Sequence, residues 1–121
     1  MSATFIYTAD QAMDDGMLFD VSQMASEAGF KSPVRITVGV KNIVTPTKSA
    51  KKYGQSYEGR LWDVLTLAFN AINKSNENEK MYLTFEVIFQ DGPRIKQTVK
   101  LFAALDFTTV PAIHIGLPSE Y

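Results

Sequence analysis

The chain has no cysteine, one histidine and one tryptophan among its 121 residues. Without thiols it can form neither a disulfide nor a thiolate zinc site, and a reducing compartment is its natural setting. A lone histidine falls short of the ligand set of common zinc sites, and no carboxylate cluster suggests magnesium or calcium, so neither metal nor cofactor is expected. No run approaches the ~20 apolar residues that a membrane span needs. Met1-Ser2-Ala3-Thr4-Phe5 has neither the basic start nor the apolar stretch of a signal peptide. The expected location is the cytoplasm, away from membranes. Catalytic patterns are missing too. Gly54 and Gly59 do not make a phosphate-cradling loop, and no spacing supplies His114 with a nucleophile or an orienting partner. No catalytic residue is expected.

What is present reads as one domain over residues 1–121. An apolar fraction of 45% with 12% aromatic residues is ordinary for a globular protein, and the length suits a single core. Charge is unevenly spread. Residues 1–30 hold five acids and no base, whereas residues 31–60 hold seven bases against Glu58 alone. Such thirds attract each other in a folded chain.

The pattern predicts an α+β fold: an antiparallel sheet of three to four strands packed on one long helix, with two short N-terminal helices. Thr8-Ala9-Asp10-Gln11 has capping-box spacing and opens a first helix that Gly16 closes. Leu18-Phe19 reads as a buried connection. A second helix follows Asp20, with Val21, Met24, Ala25 and Ala28 on one face, ended by Gly29 and closed by Phe30. Val34 to Val40 alternates as a strand, although residues 38–44 also suit a helical turn before Pro46. Thr45 to Tyr57, polar and rich in lysine, reads as a loop.

The strongest periodicity is Leu61, Val64, Leu65, Ala68, Phe69 and Ile72, predicting a helix from Glu58 to Lys74. Met81 to Gln90 and Arg94 to Ala103 alternate around the turn Asp91-Gly92-Pro93, and Ala112 to Leu117 supplies a last strand. A tight turn would set Glu86 between Lys96 and Lys100 on the outer face, where His114 also falls. Tyr82, Ile88 and Phe102 share that face. They lie either under the acidic N-terminal segment or on a contact surface through which the chain oligomerises.

Two places carry candidate binding residues. In Gly59-Arg60-Leu61-Trp62-Asp63, Arg60 and Asp63 are three apart on a helix and can pair, with Trp62 between them and the buried stripe. The corner reads as a helix anchor or, since Trp and Arg concentrate in binding hot spots, as a partner patch. Just upstream, Lys48, Lys51, Lys52, Tyr53, Tyr57 and Arg60 interleave bases with aromatics, a pattern suited to nucleic acid or an anionic small molecule. The sequence pI of 5.8 argues against a dedicated nucleic-acid binder.

Several strings look familiar together: Tyr7-Thr8-x-x-Gln11-Ala12-x-x-Asp15-Gly16-x-Leu18-x-Asp20-Val21, Ala25-x-x-Ala28-Gly29-Phe30-x-x-Pro33-Val34, Gly59-Arg60-Leu61-Trp62-Asp63-Val64-Leu65 and Ile113-x-Ile115-x-Leu117-Pro118. They resemble a family of small proteins carried by bacteriophages, plasmids and other mobile elements and known only as a domain of unknown function. The Val38–Tyr57 stretch is richer in lysine than that family's pattern. The resemblance implies a genomic setting and brings no catalytic residues.

The function expected from these observations is non-enzymatic binding of a host or element-encoded protein, in regulation or in countering host defence. The alternative is an anionic small molecule or nucleic acid held by residues 48–60. A third reading places an acid–base site at Glu58, Arg60 and Asp63, which requires burial to shift a carboxyl pKa.

Overall fold

The computed structural model describes residues 16–74, 82–90, 96–106 and 111–120. The first expected helix, from Thr8, and the turn at Asp91-Gly92-Pro93 lie outside them. In chain order the elements are β1 (Leu18–Asp20), α1 (Ser22–Ala28), β2 (Val34–Thr37), α2 (Val38–Val44), α3 (Lys48–Lys52) and α4 (Tyr57–Lys74). Then come β3 (Tyr82–Gln90), β4 (Lys96–Asp106), β5 (Ala112–Gly116) and a 3-10 turn, Pro118–Glu120. The fold is α+β.

The sheet has five strands in the order β1-β2-β5-β4-β3 and is mixed. The antiparallel meander β3-β4-β5 follows the alternating sequence, but β2 pairs with β5 in parallel, and β1 pairs antiparallel with β2. The expectation of a purely antiparallel sheet of three to four strands is corrected on both points. A parallel neighbour needs a long crossover, which here contains α2, α3, α4, β3 and β4. Leu18-Phe19, read as a connection, is part of the short edge strand β1.

The core lies on one face of the sheet, where Val34, Ile36, Val87, Phe89, Leu101, Ala103, Ile113 and Ile115 meet Leu61, Val64, Leu65 and Ala68 of α4. The α4 stripe recurs every three or four residues, so one side of an 18-residue helix is buried. Ser56 starts that helix by accepting the Gly59 N–H at 3.0 Å. Helix α1 ends as read. Gly29 adopts φ 118°, its N–H reaches the Ser26 carbonyl, and the Phe30 N–H reaches Ala25, the paired bonds of a Schellman close. Gly29 has a second duty. A Cβ there would lie 2.7 Å from the Phe69 ring, which packs edge-on against Phe30 at 5.3 Å.

The alternation from Val34 to Val40 does not stay extended. Thr37 turns the chain, its hydroxyl oxygen accepting the Val40 N–H at 3.3 Å, and residues 38–44 are helical. Val40 and Val44, four apart, continue the buried row that Val34 and Ile36 begin at strand spacing.

The loop expected from Thr45 to Tyr57 is also corrected, because it contains α3. Thr47 caps that helix by accepting the Ala50 N–H at 3.1 Å, and Ala50 is fully buried. Gly54, at φ 86°, closes it with bonds from Gly54 N–H to Lys51 and from Gln55 N–H to Ala50.

In the β3–β4 ladder Glu86 faces Lys100 directly, and Lys96 faces Gln90. The register therefore differs by two residues from the tight-turn expectation. An even shift keeps every side chain on its expected face.

Candidate functional site

The candidate residues separate into an inner and an outer group. Arg60 belongs inside. Only 3% of it is accessible. Its Nε donates to the Gln55 Oε1 at 3.2 Å, its Nη1 to the Ile43 carbonyl at 3.1 Å and its Nη2 to the Gln90 carbonyl at 3.3 Å. The guanidinium also lies 4.9 Å from the Phe89 ring centroid. Ile43 is in the last turn of α2, where carbonyls lack helical partners and a cation is favoured. Arg60 thus ties the end of α2, the turn before α4 and the end of β3 to one planar group. Its expected pairing with Asp63 gives way to these bonds, and Asp63 stands exposed.

Tyr57 is half-buried beneath Lys41, whose ammonium lies 5.8 Å from its ring and 4.3 Å from that of Phe19. Desolvation, and secondarily the charge of Glu58, push its phenol above the ordinary tyrosine value. Tyr57 is therefore packed rather than presented.

The outer group is Lys48, Lys51, Lys52, Tyr53 and Trp62. Tyr53 is 53% accessible and Trp62 40%, with Asp63 and Leu67 also exposed along α4. The α3 cap and its Schellman close fix the three lysines on little more than one helical turn. Glu58 and Asp63 are both exposed, while Arg60 points inward. The three side chains of an acid–base site are therefore not gathered in one place.

The outer sheet face is less open than its polarity suggests. Phe102 is buried, stacked on Tyr82 at 5.5 Å between centroids, with its ring over Gly116. A Cβ at Gly116 would sit 2.7 Å from that ring and from the Thr37 methyl. Ala104 and Ala112 are also buried, and His114 is partly so. Ile88 stands apart at 60% accessible. The face is open along β3 and the facing part of β4, where Thr84, Glu86, Thr98 and Lys100 reach solvent.

One residue on this face escaped the sequence reading: Arg35, buried in the middle of β2. Its signal was a base in an alternating strand, and alternation assigns such a residue to solvent. Among the described residues no group of three or more His, Asp or Glu could hold a metal ion, and no helix is long and apolar enough to cross a membrane. No protein-family model, curated protein or solved structure matches the chain.

Proposed function

We propose that the chain is a non-enzymatic binding protein that engages a protein partner through the α3–α4 corner. The observation carrying this reading is the pair of exposed aromatics, Tyr53 and Trp62, beside the exposed Lys48, Lys51, Lys52 and Asp63. Aromatic anchors ringed by polar groups are the usual anatomy of an interface. The resemblance to mobile-element proteins supplies the setting: a host or element-encoded partner in the host cytoplasm, bound in regulation or counter-defence. Capture by the immobilised chain tests it. A partner held by wild type should be lost at least tenfold with Trp62→Ala and with Lys51→Ala, both melting like wild type. Equal capture by both variants would sink the reading.

A second reading rests on the same helix. Three exposed lysines on α3 offer phosphate contacts with Tyr53 beside them for stacking, although the buried Arg60 and the packed Tyr57 leave the set of six smaller than its sequence. Oligonucleotides should then raise the melting temperature with a steep salt dependence. A flat series counts against it.

A further inference from the structure

A row of side chains crosses all five strands on the sheet face opposite the core. By register, Asp20 of β1 neighbours Arg35 of β2, Arg35 neighbours His114 of β5, His114 neighbours Ala104 of β4, and Ala104 neighbours Tyr82 of β3. Their sequence neighbours Ile36, Ile115 and Ala103 belong to the core, so alternation sends the row to the other side. Arg35 is only 8% accessible, and among the described residues its buried Nε and Nη1 have no acceptor.

An arginine cannot shed its charge at any pH at which the protein folds. Burying an ionised group whose donors lack acceptors is costly, so such groups are normally paired and hydrogen-bonded. The nearest acid in the row, Asp20, shares a through-space attraction with Arg35 but accepts from neither Nε nor Nη1. The Asp20 carboxylate is exposed, and its Oδ1 accepts both the N–H and the hydroxyl of Ser22. Arg60 is the instructive contrast: also buried, it has acceptors at three nitrogens.

We propose that Arg35 is the anchor of a binding site for a small oxyanion, a carboxylate or phosphate group, held over the β2–β5 part of the sheet. The oxyanion supplies the acceptors that Nε and Nη1 lack among the described residues, and adds its negative charge to that of Asp20. Being planar and multiply donating, a guanidinium suits oxygens of either geometry. The site is separate from the α3–α4 corner and does not depend on it.

The test starts from protein unfolded in urea and refolded in oxyanion-free buffer, because a ligand this enclosed can survive purification. Inorganic phosphate and acetate are then titrated at constant ionic strength set with chloride. At ten times its dissociation constant the better anion should raise the wild-type melting temperature by about 4 °C or more. The rise should vanish in Arg35→Met and persist in Lys51→Ala, and the phosphate and acetate arms show which geometry is preferred. An equal rise in Arg35→Met, or no rise in wild type with either anion, overturns the proposal. If Arg35→Met does not fold, the nitrogen resonance of the wild-type Arg35 Nε decides. A saturable shift with phosphate or acetate supports the site, and a static resonance with both overturns it.

Discussion

Two charged side chains show how little a residue's type says about its task. Arg60 donates to the Gln55 side chain and to the backbone carbonyls of Ile43 and Gln90. Arg60→Ala removes these part-buried bonds together and should cost about 3 kcal/mol, since hydrogen bonds to charged groups are worth ~1.5–3 kcal/mol each and overlap in effect. Arg60→Lys should recover only part of that, because an ammonium cannot span three directions in one plane. Urea melts of both variants measure the difference, and equal stability of Lys and wild type would show that the charge alone matters.

Asp20 gives a pH signature. The Ser22 hydroxyl foremost, then the Ser22 N–H and the through-space charge of Arg35, hold its carboxyl below the ordinary value, against some desolvation. A lowered native pKa stabilises fully above the unfolded value, near 4, and the gain is lost as the pH falls through the native value. Wild type should therefore lose stability faster than Asp20→Asn from about pH 4 downward, and parallel melting curves for the two would contradict this.

At the level of elements, the 3-10 turn after β5 acts as a latch for α2. Glu120 takes the Thr37 hydroxyl and Leu117 N–H on Oε1, and the Gly39 N–H on Oε2 at 3.1 Å. Gly39 is small because it must be: a Cβ would lie 2.7 Å from both carboxylate oxygens. Glu120→Ala should cost about 1–2 kcal/mol, as lost caps do. Gly39→Ala should displace the same carboxylate, so the double variant should be less destabilised than the sum. Strict additivity in a double-mutant cycle would break the latch interpretation.

Elements with one dominant signal were legible in the sequence. The stripe of α4, the Gly29 close of α1 and the alternation of β3, β4 and β5 needed only spacing. What stayed hidden was decided by single caps or by distant partners. Residues 38–44 satisfy both periods, and the Thr37 hydroxyl settles them as helix. Helix α3 had its signal in Thr47 and Gly54, but five residues are too few for periodicity to register. Arg60 was placed on a surface because pairing with Asp63 is local, whereas its acceptors are 17 and 30 residues away for Ile43 and Gln90.

For the whole molecule, the mixed sheet matters most. The parallel β2–β5 pairing joins Ile36 to Ile115 across nearly the length of the described chain. It is the one feature that no short-range rule could suggest, since register within a hairpin is local and a crossover is not. Long loops must close before that contact contributes, which places the domain among slower-folding topologies. The same pairing puts β2 and β5 side by side, and with them Arg35 and His114. The candidate corner at Tyr53 and Trp62 needed only neighbouring segments and was visible from the start.

Because β5 lies between β2 and β4 yet is the last of the five strands to be synthesised, the sheet cannot assemble in the order the ribosome delivers it. A nascent chain can hold β1 against β2 and β3 against β4, but each pair then presents a bare edge to the gap that β5 will fill. Until that strand leaves the exit tunnel, the two halves are open to proteases, chaperones and each other's misplaced edges. For this domain, translation speed through its final third is part of the folding problem.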